Sequence, residues 1–245
     1  MNWTRNSGLA RPGGQAAKPQ PATAAATTRK TGPGPTASAG PKDKNARVSN
    51  GMKEFLWMIS DVERGRVLDL GPASQSTINF FIERGFRIST EDLLRSWKEF
   101  LTMEEERLRQ APAGIAEDAR TLQSKLVDKF LDTSLNYPEN SYCGVLAWDL
   151  FDYLDAELLP RAMACIYRML TPGGAVLALF HSRPPERFHR YKIVDNQTIE
   201  TIPAPTISVH ARVFQNREIL DIFGEFRTSK TFVGRDQVRE ALFLK

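Results

Sequence analysis

The sequence predicts an α/β protein built around an open, mostly parallel β-sheet. Residues 66–70 are typical of a buried strand, a helix with a serine N-cap follows, and residues 86–91 alternate apolar and polar side chains as a strand does. A second series of strand, helix and strand runs from 144–148 to 175–180, with a Thr-Pro-Gly-Gly turn before its last strand. Such units pair their strands in parallel through right-handed crossovers.

The first helix is predicted directly before this series. Its apolar side chains are spaced i, i+3, i+4 and i+7, and they are Met52, Phe55, Leu56 and Ile59. Ser49 or Asn50 can serve as the N-cap. Further along, residues 93–110 form an amphipathic pattern that ends at an Ala-Pro-Ala-Gly segment. Residues 115–131 fit either a helix or, over 126–131, a short strand, and the pattern does not decide between them.

The C-terminal third is predicted to hold a hairpin around Asn196, a helix near 216–223 and strands near 228–233 and 239–244. The longest apolar run, residues 175–180, is far shorter than the roughly 20 residues of a transmembrane helix. With two cysteines, the chain has neither a disulfide framework nor a cysteine zinc site. We therefore expect a soluble, cytoplasmic protein without a structural metal.

The positive charge of the chain lies at its N-terminus. The net charge is +4, yet residues 1–50 contain eight basic residues against one acid, which gives +7 there and leaves −3 for the remainder. Of those fifty residues, 31 are Ala, Pro, Gly, Ser or Thr, so they cannot bury enough apolar surface to offset the entropy of ordering. We predict a disordered basic tail over 1–48 and a domain over 49–245. We interpret this segment first as a solvated tail or linker, second as a segment that binds polyanions transiently, and last as a transit peptide.

Acidic residues stand where two neighbouring strands end. An open parallel sheet binds its ligands beyond the carboxyl ends of its strands. Asp69 ends the first strand of the series, just before Gly71, and Asp92 follows the next strand 23 residues later. Nucleotide-binding folds place an acid about 20 residues after the glycine turn to accept hydrogen bonds from both ribose hydroxyls. Asp69 could instead cap its own turn, and Asp92 could cap the helix that begins at Leu93.

The chain resembles the class I S-adenosylmethionine-dependent methyltransferases over about residues 52–245. The segments that carry the resemblance are Val67-Leu68-Asp69-Leu70-Gly71, Glu91-Asp92-Leu93, and residues 144–174 with the strand that follows them. The resemblance implies a Rossmann-like, doubly wound sheet of seven strands that is mostly parallel and has an antiparallel last strand. It also implies S-adenosylmethionine as cofactor and methyl transfer as reaction. Because the domain is not basic, we expect a small-molecule acceptor and no specific nucleic acid.

Each site residue follows from this resemblance. The acid and glycine-rich turn would face the methionine part of the cofactor and Asp92 the ribose. Trp148 would either form a wall of the site or belong to the core. Asp132 would contact adenine if a strand precedes it. The implied cofactor-binding residues are Asp69, Gly71, Ala73, Asp92, Asp132 and Trp148. Asp149 and His181 are the candidate catalytic bases, whereas Asp152 and Tyr153 are expected in the first turn of an exposed helix.

Two departures from the family pattern suggest an alternative function. Where family members often carry three alternating glycines, this chain has Gly71, Ala73 and Gln75. Before the fourth strand, where an acid often follows an aromatic residue, Tyr142 is followed by Cys143. The alternative is therefore a binding or scaffold protein that keeps the fold and lacks turnover.

Overall fold

A computed structural model describes residues 45–110, 118–205, 211–234 and 236–245, so the predicted tail lies outside the described residues up to position 44. The described strands are β1 (Ala46–Val48), β2 (Arg66–Asp69), β3 (Arg87–Thr90), β4 (Tyr142–Trp148), β5 (Leu170–His181), β6 (His189–Ile193), β7 (Thr198–Pro203), β8 (Thr228–Val233) and β9 (Val238–Leu244). The described α-helices are α1 (Asn50–Ile59), α2 (Gln75–Ile82), α3 (Leu93–Gln110), α4 (Ala119–Ser134), α5 (Leu158–Met169) and α6 (Asn216–Ile222). None of these helices is long and apolar enough to cross a bilayer.

The central sheet has six strands in the order β3, β2, β4, β5, β9, β8. Strands β3, β2, β4 and β5 pair in parallel, and β9 is antiparallel to both of its neighbours. The mostly parallel sheet and its reversed last strand are thus confirmed. The predicted count of seven strands is wrong for the described residues, which place six strands in this sheet.

Helix α4 covers residues 126–131, for which the sequence pattern allowed either a helix or a short strand. The Asp118 side chain caps this helix by accepting a hydrogen bond from the Thr121 amide at 3.2 Å. Its buried residues Val127, Phe130 and Leu131 are spaced i, i+3 and i+4, so these apolar side chains form the inner face of a helix and not a strand. Phe130 packs against Trp97 of α3, with their ring centroids 4.9 Å apart.

Helices cover both faces of the sheet, as a doubly wound fold requires. Alternate side chains of β4 enter two separate cores, Val145 on one face and Leu146 on the other. Helices α3, α4, α5 and α6 cover the Val145 face, and α1 and α2 cover the Leu146 face. The first helix begins as predicted, because the Ser49 hydroxyl accepts a hydrogen bond from the Met52 amide at 3.0 Å.

A second sheet, in the order β1, β7, β6, lies on the Leu146 face, and it contains the predicted hairpin around Asn196. Strand β1 falls within the range predicted as tail, yet it pairs with β7 from Ala46 opposite Glu200 to Val48 opposite Thr198. The Arg47 guanidinium also bonds the buried Glu240 carboxylate of β9. Residues 46–48 are therefore joined to the domain by both backbone and side-chain bonds.

The strand order reverses beside β2. The chain passes from β2 outward to β3 and then returns to β4 on the other side of β2. A crevice forms at such a switch point, beyond the carboxyl ends of the parallel strands. Asp69, Asp92 and Asp149 all stand at this edge, directly at or after the ends of β2, β3 and β4.

Candidate functional site

Trp148 lies directly on the glycine turn that follows β2. Its indole N–H donates a hydrogen bond to the Asp69 carboxylate at 2.6 Å, and the Gly71 amide donates to the same oxygen at 3.0 Å. A Cβ atom on Gly71 would come within 2.7 Å of the indole Cδ1, so only glycine permits this approach. The turn, its acid and the indole form one closed unit, in which Asp69 caps its own turn.

The backbone of Trp148 is what turns the indole toward Gly71. Its φ of 48° is in the left-handed region, which non-glycine residues adopt rarely, and the pairing of β4 with β5 is irregular between Leu146 and Trp148. The indole stacks on the Tyr191 ring of β6, with centroids 5.4 Å apart and an interplanar angle of 11°. Trp148 is therefore held between the turn and the hairpin.

Two adjacent spaces that share lining residues lie at this edge. The inner one is a narrow cavity of about 20 Å³, room for about one water molecule, and its walls include Gly71, Trp148 and Asp149. The outer one is a groove of about 730 Å³ along α3. Residues that line both are Pro72, Asp92, Phe188 and Arg190. Side chains that line the groove alone include Arg95, Lys98 and Met103.

Asp92 stands where the cavity meets the groove. Its carboxylate accepts a long hydrogen bond from the Arg95 amide at 3.4 Å, so it also caps the first turn of α3. Partial burial raises the pKa of Asp92 above its ordinary value, against the lowering effect of that bond. The two predicted roles of Asp92, helix cap and ligand contact, are therefore compatible. Asp92 caps α3 and also lines a space in which a ligand can lie.

Behind the cavity, a cluster of titratable side chains joins the ends of β4 and β5. Asp149 accepts a hydrogen bond from the Tyr191 hydroxyl at 3.0 Å, and its Oδ2 atom lies 3.9 Å from His181 Nε2. The opposite nitrogen, His181 Nδ1, lies 2.9 Å from Asp152 Oδ2, which also accepts from the His181 backbone amide at 2.8 Å. The imidazole thus lies between two carboxylates.

Burial gives these groups unusual proton affinities. Loss of hydration raises the pKa of Asp149 to about 7, and it also raises the pKa of Asp152. Burial alone would lower the pKa of His181, but the hydrogen bond that the imidazole donates to Asp152 and the charges of both carboxylates outweigh it and raise that pKa. Asp149 can therefore gain or lose a proton near neutral pH, which suits a general base or acid.

Arg239 of β9 supports this cluster from below. Its guanidinium donates to the His181 carbonyl at 3.1 Å, to the Phe214 carbonyl, and to Asn216 Oδ1 at 2.8 Å. His181 also lines a separate groove of about 490 Å³. Tyr191 lines both this groove and the inner cavity. The imidazole therefore connects the buried cluster to a second open space.

The structure brings most of the predicted site residues to one edge. Gly71, Asp92, Trp148 and Asp149 line the inner cavity, and the other members of the set are Asp69, which lies behind Trp148, and His181, which lies behind Asp149. Ala73 is exposed on the loop before α2 and is not among the residues that line the cavity or the groove.

Asp132 does not reach this edge. Its predicted contact with adenine required a strand, but the residue lies on the exposed face of helix α4, opposite the buried Phe130 and Leu131. The expected place of Asp132 in the site is therefore corrected by the helical structure of this segment.

Three residues of the site were not predicted. Asp152 and Tyr153 lie in a buried 3-10 helix, Leu150–Tyr153, and not in the expected exposed turn. Tyr153 lines the inner cavity, and its hydroxyl is buried with no hydrogen-bond partner among the described residues. Tyr191 comes from a hairpin 42 residues after Asp149, so no local pattern marks it. The spacing of Asp149 and Asp152 was the available signal for the cluster.

S-adenosylmethionine, the cofactor that the resemblance implies, fits this site only in part. Asp92 offers a carboxylate for a ribose diol, beside the apolar walls of Pro72 and Leu94. The amino-acid half would have to lie before Gly71, where the Trp148 indole is. Pockets for ligands of this size measure about 300–1,000 Å³, far above the inner cavity. The nucleoside half therefore fits this arrangement and the amino-acid half does not.

A metal site of side chains is not indicated either. In the described part of the chain, no group of three or more His, Cys, Asp or Glu residues is arranged to hold a metal ion.

No family model matches this chain. No curated protein matches it. Among solved structures, it is similar to an S-adenosylmethionine-dependent methyltransferase from Mesorhizobium loti, at 14% identity over 79% of this chain and 98% of that chain, with a TM-score of 0.45. It is also similar to 1,6-didemethyltoxoflavin-N1-methyltransferase from Burkholderia thailandensis, at 13% identity over 80% and 76% of the two chains, with a TM-score of 0.41. A third, the glycopeptide N-methyltransferase MtfA complexed with S-adenosyl-L-methionine, has 15% identity over 80% and 94%, with a TM-score of 0.39.

Proposed function

We propose that this chain is an S-adenosylmethionine-dependent methyltransferase that acts on a small molecule. The observation that carries the proposal is the pair Asp92 and Asp149, two carboxylates that follow strands β3 and β4 and line one cavity at the switch point of the sheet. The cofactor, when bound, supplies a methyl group on a positively charged sulfur. The chain supplies binding, orientation and proton transfer.

In this proposal the two carboxylates differ in role. Asp92 lies at the mouth of the outer groove and accepts hydrogen bonds from the ribose hydroxyls. Asp149 lies deeper, and it takes the proton from an acceptor that must lose one, since burial brings its pKa to about 7. His181 lies 3.9 Å from Asp149 and is held by Asp152, so it can share that proton. Asp149 and His181 are thus the proposed catalytic residues.

The ribose assignment is tested by calorimetry with S-adenosylhomocysteine on three proteins. Asp92→Asn keeps an oxygen for the Arg95 amide but loses the charge-assisted bonds to the diol, so its Kd is expected to rise about tenfold. Asp132→Asn is the matched control, since Asp132 lies exposed on α4 and is expected to leave binding unchanged. Equal affinity of Asp92→Asn and the wild type would remove Asp92 from the site.

A second candidate is a nucleoside-binding or scaffold protein without turnover. The observation that favours it is the contact of Trp148 with Gly71, which leaves no room for the amino-acid half of the cofactor. Incubation with S-adenosylmethionine and mixtures of small-molecule acceptors distinguishes the two candidates. Release of S-adenosylhomocysteine that depends on Asp149 supports the enzyme, whereas binding without release in every mixture supports the scaffold.

A further inference from the structure

We propose that Trp148 is the specificity-determining residue of this site: in the closed arrangement a ligand binds by its nucleoside half and any amino-acid tail stays outside the turn, and the tail enters the space before Gly71 only where the indole moves away or is removed. The nucleoside site at Asp92 rests on the proposed function. The restriction by Trp148 goes beyond it, because it changes which ligands the same fold accepts.

The first step is that the indole fills the space before the turn. A single added carbon on Gly71 would lie 2.7 Å from Trp148 Cδ1 and 3.0 Å from Trp148 Nε1. No atom of a ligand can therefore lie between the turn and the indole. Tyr191 covers the other face of the indole with a near-parallel ring, so the aromatic pair forms a continuous wall.

The second step is that the polar groups of the turn are already satisfied. The Gly71 amide donates to Asp69, and the Trp148 N–H donates to the same carboxylate, which is 1% exposed. An amino-acid tail brings an ammonium and a carboxylate, and both need hydrogen-bond partners when they leave water. The acid and the amide that could serve them are bonded to each other and to the indole.

The third step is that the outer half of the site remains open. Asp92 is only partly buried, and it lines both the inner cavity and the groove of about 730 Å³. Arg95, Lys98 and Arg190 line that groove with it. A sugar hydroxyl can therefore reach the Asp92 carboxylate from the groove without any movement of Trp148.

The fourth step is that a single residue, Trp148, fills the space before the turn, and its backbone is strained. Trp148 has a φ of 48°, a conformation that glycine adopts at no steric cost. Trp148→Gly therefore removes the indole while it relieves this backbone strain, so it is the variant of choice for opening the site.

The test is calorimetry with two probes, adenosine and S-adenosylhomocysteine, on the full-length wild type, Trp148→Gly and Trp57→Ala. Trp57 is 69% exposed on α1, is not among the residues that line the cavity or the groove, and serves as the matched control. For the wild type and the control, the Kd values of the two probes are expected to agree within about threefold, because the tail adds no contact. In Trp148→Gly, S-adenosylhomocysteine is expected to bind about tenfold tighter or more, and adenosine as before.

Several results would overturn the proposal. A wild type that binds S-adenosylhomocysteine much tighter than adenosine has room for the tail, and a Trp148→Gly protein with unchanged or weaker binding of S-adenosylhomocysteine shows that the indole does not exclude it. Circular dichroism checks that Trp148→Gly is folded, and if it is not, the ratio of the two wild-type affinities decides alone. Failure of both probes to bind any of the proteins rejects the nucleoside site, and with it the proposed function.

Discussion

Two aspartates at the ends of neighbouring strands, Asp69 on β2 and Asp149 after β4, have nearly the same surroundings and different proposed roles. Both are buried, burial raises the pKa of each to about 7, and each accepts a hydrogen bond from one ring of the same aromatic stack. The Trp148 indole donates to Asp69, and the Tyr191 hydroxyl donates to Asp149. The difference lies in what else each carboxylate meets.

Asp69 has a second donor in its own turn, whereas Asp149 lines the cavity and lies 3.9 Å from an imidazole. A raised pKa alone therefore does not distinguish an acid that stabilises the fold from an acid that can transfer a proton to or from a ligand. Access to a cavity and a partner that can share the proton separate them, and these come from the position of each residue at the sheet edge.

The largest contrast is expected when each carboxylate is removed. Asp69→Ala leaves the buried Gly71 amide and Trp148 N–H without an acceptor, which should lower the free energy of unfolding by about 2–4 kcal/mol. Asp149→Ala leaves a Tyr191 hydroxyl that lines the cavity, where water can replace the carboxylate, so about half that loss is expected. Urea unfolding measures both, and a greater loss for Asp149→Ala would reverse the comparison.

The next effect concerns the close approach at the turn. Gly71→Ala places a methyl group against the indole and should cost about 1–3 kcal/mol of unfolding free energy. The same change in a Trp148→Gly background should cost much less, because its steric partner is absent. A double-mutant cycle of urea unfolding measures the coupling. Equal costs in both backgrounds would mean that the two residues do not touch.

The pH dependence of stability should separate the two acids further. Each native carboxyl keeps its proton up to about pH 7, while the unfolded chain releases it near its ordinary value of 3.8, so the free energy of unfolding falls as pH rises between these values. Asp69→Asn or Asp149→Asn should each reduce this fall, by about 4 kcal/mol at most. Denaturant titrations from pH 4 to 8 measure it.

Only Asp149→Asn is expected to act through His181 as well, above the ordinary histidine pKa of 6.5. It removes a charge that raises the pKa of His181, and the stability gained from a raised histidine pKa is lost as pH rises through that pKa. If Asp69→Asn changes the free energy of unfolding in this same pH range, Asp149 is not the only one of the two acids that affects the pKa of His181.

The smallest effect is expected from the hydroxyl of Tyr191. Tyr191→Phe keeps the stack with Trp148 but removes the bond to Asp149, so it should cost about 0.5–1.5 kcal/mol and raise the pKa of Asp149 further. Thermal unfolding at pH 5 and pH 8 checks it, and the loss should be greater at pH 8, where the charged carboxylate needs the donor. Phe188→Leu, which changes another ring beside the cavity, serves as the control.

The sheet and its edge were predictable because they depend on local patterns. Strand ends at Asp69 and before Asp92 are marked by acids and turns, and parallel pairing brings such ends together. The segment before β4 was not decidable, because residues 126–131 are too few to distinguish a strand from a helix by the spacing of their apolar side chains. The Asp118 cap and the packing of Phe130 on Trp97 decide it in three dimensions.

The closure of the site was not predictable for a different reason. It depends on the left-handed backbone of Trp148 and on Tyr191, which arrives from a separate sheet. Neither a conformation at one residue nor a contact between distant segments leaves a periodic pattern in the sequence. Sequence reasoning therefore found the residues of the turn and of the acids, but not the arrangement that covers them.

The stack of Trp148 on Tyr191 also links hairpin movement to proton release. One ring of the stack is bonded to Asp69 and the other to Asp149, so a ligand that separates them would admit water to both carboxyls together. Rehydration returns each pKa toward its ordinary value, and near neutral pH both groups then lose protons. Opening of this site would acidify its surroundings, and the heat of ligand binding would depend on the buffer that takes up those protons.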